Sequence, residues 1–403
     1  MKILSVLLLV LSPICLAGQT RLVPQRITLK SGKSFELRVA EGFEVVPAAE
    51  GLKRARFFAK APDGRIFVTD MHDLTDNKRG AVYILDDWDA GRGKFGKVVP
   101  YMTNLRNPNS VQFYRDADGQ DWLYLAETDK LTRRRFTSGE TKPTDTRPQT
   151  LATFPDYGLD YKYGGWHLTR TIAFGPGDKL YVSVGSSCNA CVEKEKVRAS
   201  VIRMNPDGSD QREIARGLRN AVALKWIGKF LWASNQGADH LGLGKPDETF
   251  YAVRSNTPPA TAGGTDMSGV IDYGWPYCYS SNGKIFGDPK FKRASGCRGV
   301  PVPYAYFPSH SSALGFDYFG DDSPGSIRKA FLVSLHGSTN EKVGHGYKIV
   351  LMRKGERVQD FITGFLQNGK VVGRPCDIMK LDANSFLFTD DRGGVIYYVR
   401  RTS

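Results

Sequence analysis

Three kinds of chemistry-bearing group recur beside short apolar strands in this chain: a lone histidine, a fixed cation and a carbonyl-rich turn. His167 stands just ahead of the apolar run Thr171-Ile-Ala-Phe174, and Gly185-Ser-Ser-Cys-Asn-Ala-Cys191 follows the next strand. Gly217-Leu-Arg-Asn-Ala221 comes some thirty residues later, then Ser234-Asn-Gln-Gly-Ala-Asp239. A neutral imidazole near pH 7 takes a proton from an alcohol, which is what general-base oxidation needs. Arg219, after a Gly-Leu that permits a tight approach, offers a flat fork of donors suited to a carboxylate or a developing oxyanion. The turn Gln236-Gly237-Ala238-Asp239, with Asp247-Glu248 soon after, can present carbonyl and carboxylate oxygens to a hard cation such as calcium. Each has a plainer reading. A lone histidine is commonly bonded to a backbone carbonyl, an arginine commonly forms a structural salt bridge, and acidic turns without EF-hand spacing are common.

Further groups lie beside later strands. His336-Gly-Ser-Thr-Asn340, Lys348 and Gly373-Arg374-Pro375 would add donors and cations to the same site. Tyr273-Gly-Trp-Pro-Tyr-Cys278 supplies flat aromatics that either stack on a planar cofactor or sugar, or pack. His310, His336 and His345 form no recognised ligand pattern. No glycine loop follows a strand and opens a helix, so a nicotinamide cofactor has no visible seat.

The elements that must position these groups are short strands. Ile66-Phe-Val-Thr-Asp70, Trp122-Leu-Tyr-Leu-Ala126, Leu180-Tyr-Val-Ser-Val184, Phe230-Leu-Trp-Ala-Ser234, Ala330-Phe-Leu-Val-Ser334 and Phe386-Leu-Phe-Thr-Asp390 are six copies of one pattern, usually with a Gly or Asp turn just before. Most lie roughly 50–57 residues apart, a period that suits four-stranded blades. The spacing predicts an all-β, six-bladed β-propeller with four-stranded antiparallel blades. Stacking the blades around an axis buries the apolar faces that each leaves open. The wider gap between the fourth and fifth copies predicts an insertion around 250–310, rich in Pro, Ser and Gly. The terminal run Gly394-Val-Ile-Tyr-Tyr-Val399 is expected to pair with an N-terminal strand such as Ile27-Thr-Leu29, removing two exposed edges.

Lys2, the apolar run Ile3–Leu11 and the small residues Ala17-Gly18 read as a secretory signal peptide over residues 1–18, too short to span a bilayer. Cys15 raises a lipoprotein, but Pro13 and Ile14 stand where a lipobox needs small residues. Residues 19–403 then form a single exported domain with no membrane span. The formal charge of +14 is scattered, with one dense run at Arg133-Arg134-Arg135. That distribution suits a solvated basic face or an acidic ligand, and export argues against nucleic acid. In an oxidising compartment Cys188 can bridge Cys191, and Cys278 can bridge Cys297, leaving Cys376 as a buried thiol. Zinc at Cys188-x-x-Cys191 competes, but no second Cys-x-x-Cys or paired histidines accompany it.

From about Ala55 to Val399 the chain resembles the quinoprotein sugar dehydrogenases, the soluble aldose and L-sorbosone dehydrogenase-like family that uses pyrroloquinoline quinone (PQQ). The motifs that carry the resemblance are His167-Leu-Thr-Arg-Thr, Gly185-Ser-Ser-Cys-Asn-Ala-Cys191, Gly217-Leu-Arg-Asn220, Tyr273-Gly-Trp-Pro-Tyr-Cys278 and Leu335-His-Gly-Ser338. The resemblance implies a periplasmic propeller oxidising a sugar hydroxyl or aldehyde hydrate, with electrons passed on to an unknown acceptor. It implies His167 as general base and Arg219 facing the quinone oxygen that gains charge. Asn220, Gln236, His336 and Arg374 become quinone contacts, with Arg374 clamping a carboxylate. The carbonyls of Gly237 and Ala238 become ligands of Ca2+. The chain departs from the pattern at His336-Gly337, where relatives often carry a basic residue, at Asn107-Pro-Asn-Ser110, which lacks a common histidine, and at Asp239-His240-Leu-Gly-Leu-Gly244, which is less acidic. A metal-dependent lactonase and a non-catalytic binding propeller are the alternatives on the same fold.

Overall fold

The computed structural model describes residues 20–156, 167–255 and 269–402, so the expected signal peptide lies outside the described residues. The chain folds as six antiparallel blades around an axis, an all-β six-bladed propeller. The innermost strands are Ala55–Lys60, Ser110–Arg115, Arg170–Gly175, Ala221–Ile227, Ala313–Phe319 and Pro375–Lys380. The six copies read from the sequence are the second strands of the blades: Ile66–Asp70, Asp121–Ala126, Lys179–Val184, Phe230–Asn235, Ala330–Leu335 and Ser385–Asp390. Most residues of these strands are buried on both faces because blades stack on either side. Among the described residues no helix is long and apolar enough to cross a membrane.

The ring is closed within the sixth blade. Val395–Arg401 pairs with Phe43–Glu50, in a register that sets Val45 opposite Val399. The expected partner around Ile27 does something else. Leu22–Thr28 forms a hairpin with Ser34–Ala40, and that hairpin extends the fifth blade through Arg38 and Val39 against Thr363 and Ile362. Each N-terminal segment buries an aliphatic residue, Ile27 in one and Val45 in the other, and only Phe43–Glu50 leads directly into the first blade. Phe386, Phe388 and Tyr397 are fully buried at the seam, each worth about 1.5–3 kcal/mol of apolar burial. Phe388 stacks on Tyr397 with ring centroids 4.8 Å apart.

Four inner strands begin with a bulge, at Ala55/Phe58, Ala221/Ala223, Ala313/Phe316 and Pro375/Ile378. A bulge interrupts the ladder and re-aims a side chain. The backbone groups it frees need other partners, and in the first and sixth blades hydroxyls of the second strands supply them. Thr69 Oγ1 accepts from Phe57 N at 3.0 Å and donates to Asn109 O at 2.8 Å. Thr389 Oγ1 accepts from Asp377 N at 2.8 Å and donates to Arg56 O at 2.7 Å. These hydroxyls stitch the first blade to the second and the sixth to the first at one end of the ring.

The insertion lies between the third and fourth strands of the fourth blade, Glu248–Ser255 and Ala305–Phe307. Its Ile271–Asp272 runs parallel to Arg212–Arg216 of the third blade. A disulfide joins Cys278 to Cys297, another joins Cys188 to Cys191, and Cys376 is a buried free thiol, matching the pairing read from the sequence. Arg133-Arg134-Arg135 form part of the strand Lys130–Arg135 rather than a loop, and Arg133 lies over the Trp122 ring.

Candidate active site

Loops that enter the inner strands and leave the second strands share one rim of the ring, and that rim carries the candidate residues. His167 precedes Arg170–Gly175 with φ of 48°, a left-handed conformation that costs a non-glycine residue about 1–3 kcal/mol. Its carbonyl is held by Arg170 Nη1 at 2.7 Å, and the next carbonyl, of Leu168, by Thr128 Oγ1 at 2.9 Å. The imidazole Nδ1 lies 2.9 Å from Ser186 O and 3.0 Å from Ser186 Oγ. Ser186 Oγ spends its proton on Cys188 O at 2.7 Å, so both Ser186 oxygens face the imidazole as acceptors. Nδ1 is therefore the protonated nitrogen, and Nε2 carries the lone pair. Burial, then the charges of Arg219, Arg170 and Arg198, hold this imidazole well below its ordinary pKa. It is neutral at physiological pH.

Gly185 brings two of the predicted residues together. A Cβ there would fall 2.5 Å from Asn220 Oδ1 and 2.5 Å from the His167 Cβ. Gly185→Ala is accordingly expected to destabilise the protein by about 1–3 kcal/mol through overpacking, read as a lower urea midpoint; an unchanged midpoint would refute this contact. Gly217 has φ of 70°, and a Cβ there would lie 2.6 Å from Gly274 N, so glycine lets the insertion close down over the Arg219 loop.

Arg219 is buried and donates to Asn189 O at 2.8 Å through Nε and to Asn189 Oδ1 at 3.0 Å through Nη2. Asp239 Oδ2 stands 3.9 Å away. Burial pulls the guanidinium pKa down, with Asp239 and Glu248 opposing. Asn220 Nδ2 donates to Gln236 Oε1 at 2.7 Å, and Gln236 N to Asn220 O at 3.1 Å. His167, Arg219, Asn220, Gln236 and the Gly237–Ala238 turn thus form one cluster on the third and fourth blades. Glu248, noted in the sequence only as part of an acidic pair, joins it. Its carboxyl is buried and accepts from the backbone N–H of Gly237 and Ser312, while Oε2 has no hydrogen-bond partner. Burial pushes its pKa up to about 8, with Arg219 opposing.

His336 and Arg374 belong to an adjoining cluster on the fifth, sixth and first blades. His336 Nε2 lies 2.8 Å from Asp391 Oδ1, and Arg374 Nη1 donates to Gly337 O at 2.9 Å. Arg56 and Arg54 both pair with Asp391 Oδ2, at 2.8 and 3.1 Å. Burial would raise the Asp391 carboxyl pKa, but His336, Arg54 and Arg56 hold it well below the usual range. Arg56 Nε also donates to Asn109 Oδ1 at 3.1 Å, and Asn109 Nδ2 to Thr171 Oγ1 at 2.9 Å. Asn109, in the segment that lacks the common histidine, is thus a blade-bridging amide. The two clusters meet at Ser312, whose N–H serves Glu248 and whose carbonyl accepts from His336 N at 3.0 Å.

Of the other candidates, Tyr273 and Trp275 line a pocket together with Arg219, Gln236, Gly237 and Ala238, while Lys348 points elsewhere. Lys348 pairs with Asp360 on the blade's outer strand at 2.7 Å. Tyr273 packs edge-on against Tyr251 in the core. Trp275 and Tyr277 line a cavity of about 270 Å3 shared with Arg198, Arg216 and Asp272. Sequence reasoning missed Asn189, Arg56, Asn109 and Asp391. Asn189 sits inside the Cys-x-x-Cys it did single out, and Asp391 follows the last repeat's Thr-Asp.

No family model matches the chain. A protein of Borreliella burgdorferi, described as uncharacterized, is 29% identical over 389 residues, 90% of each chain. The holo form of the pyranose dehydrogenase PQQ domain from Coprinopsis cinerea superposes with a TM-score of 0.71 at 18% identity, over 91% of this chain and 97% of that one. The calcium structure of the Trichoderma reesei carbohydrate-active enzyme of family AA12 gives 0.71 and 18%, over 90% and 96%. The PQQ-bound aldose sugar dehydrogenase of Streptomyces coelicolor gives 0.58 and 16%, over 90% and 99%. The structural neighbours are thus PQQ-dependent sugar dehydrogenases and family AA12 enzymes, and at these identities the likeness is one of fold.

Proposed function

We propose that this chain is an exported quinoprotein dehydrogenase that oxidises a sugar hydroxyl or aldehyde hydrate, using PQQ and Ca2+. The observation that carries the reading is the placing of His167: Nδ1 lies 2.9 Å from Ser186 O and 3.0 Å from Ser186 Oγ, which gives Nε2 the proton-acceptor role, beside a buried arginine fork. Two disulfides suit an oxidising compartment, in keeping with a signal peptide over residues 1–18.

The residues present fit the cofactor. PQQ carries three carboxylates, and the rim offers Arg374 for an anion and Asn220 and Gln236 for carbonyls. The Gly237 and Ala238 carbonyls, with the orphaned Glu248 Oε2 close by, are oxygen donors of the kind a hard cation takes. When bound, the quinone supplies the acceptor for the hydride that leaves the sugar carbon, and the cation polarises it. His167 Nε2 takes the hydroxyl proton as the C–H bond breaks, so the sugar becomes a carbonyl compound. Arg219, its guanidinium held by Asn189, would stabilise the negative charge that accumulates on the quinone.

Reconstitution tests the reading. Purified protein given PQQ and Ca2+ is expected to bind quinone, seen by absorbance or calorimetry, and to reduce a dye only when an aldose is added. Failure to bind quinone overturns it. Hydrolysis of sugar lactones by quinone-free protein would favour the lactonase instead.

A further inference from the structure

The loop closed by Cys188 and Cys191 touches both groups assigned to the chemistry, and it touches them through different atoms. Cys188 O receives the Ser186 hydroxyl proton, which fixes Ser186 Oγ as an acceptor for His167 Nδ1. The next residue, Asn189, receives Arg219 through its main-chain oxygen at 2.8 Å and through its amide oxygen at 3.0 Å. The same amide oxygen also accepts from Asp239 N at 2.9 Å, anchoring the start of the turn that follows Ala238. Glu193 braces the loop by accepting from Ser187 N at 2.6 Å and Ser187 Oγ at 2.7 Å.

We propose that Asn189, held by the Cys188–Cys191 disulfide, is a positioning residue that aims the Arg219 guanidinium without neutralising it. This rests on the reading of Arg219 given above. Buried arginines are usually held by carboxylates, which consume their charge. Here two neutral oxygens occupy the donors that a carboxylate would take, and Asp239 stays 3.9 Å off. The charge remains available to an anion forming in the site, while its direction is set by a loop of four residues that the disulfide closes. An aspartate at 189 would keep the size and the accepting oxygens but supply the missing negative charge.

That difference separates positioning from mere structure. Asn189→Asp is expected to leave the thermal midpoint near wild type, to lower kcat about 10–100-fold, and to leave the sugar KM within about twofold, as for loss of a transition-state interaction. In the quinone-free protein, followed by NMR, it is expected to move the His167 titration upward in pH. The charges facing that ring are Arg219, Arg170 and Arg198, and only the first is newly paired. Asn189→Ala and Cys188→Ser/Cys191→Ser are expected to lower kcat in the same range, with the His167 titration moving less than in Asn189→Asp. An unchanged kcat and titration in Asn189→Asp overturns the proposal. If wild-type protein binds no quinone, the functional reading falls, while the titration in quinone-free protein still decides whether Asn189 governs the charge at Arg219.

Discussion

Replacing His167 by glutamine is expected to lower kcat for sugar oxidation by about 10²–10⁴-fold, the usual contribution of a positioned base, while quinone affinity stays near wild type. Glutamine can still donate to Ser186, so the loop keeps its contact, but nothing at the Nε2 position accepts a proton. The pH profile of the wild-type enzyme carries the same signature. Because burial and Arg219 hold the His167 pKa well below 6.5, the imidazole stays neutral as pH falls through the ordinary histidine range. The rate should therefore rise with pH through a midpoint below 6.5 and be flat above it. A midpoint at or above 6.5, or a retained rate in the variant measured by dye reduction, places the base elsewhere.

Arg219→Leu should have the other large effect. Loss of one fixed donor to a developing oxyanion costs about 10²–10³-fold in kcat, and here the donor also lines a pocket with Gln236, Gly237 and Ala238. Quinone binding is expected to weaken as well, and stopped-flow measurement of the first turnover separates the two. Arg219→Lys keeps a charge but not the fork that meets both Asn189 oxygens, so it should recover only part of the loss. A variant with wild-type first-turnover rate and affinity would show that Arg219 is a structural cation only.

What could be read from the chain follows from how its strands are buried. The second strands are legible because neighbouring blades cover both faces: Ile66–Asp70 and Ser385–Asp390 are buried at every position, so they appear as unbroken apolar runs. Outer strands such as Gln149–Thr153 and Ala305–Phe307 are short and half exposed, and leave no such trace. His167, Arg219 and Gln236 were legible because each adjoins one of the strong strands. Asn189 and the Arg56–Asp391 pair are not picked out by the sequence, and Glu248 only as half of an acidic pair, since their meaning lies in partners far along the chain. Arg219 meets Asn189 across 30 positions, and Arg56 meets Asp391 across 335. The closing strand differs from the expected one for a related reason: Ile27 and Val45 are both buried aliphatic residues in short N-terminal strands, and ring geometry, not local pattern, chooses between them.

That closure has a consequence for biogenesis. The sixth sheet takes one strand from residues 43–50 and another from 395–401, so no partial product of the ribosome can complete the circle. Until residues 395–401 emerge, the polypeptide holds an open arc with two unsatisfied sheet margins.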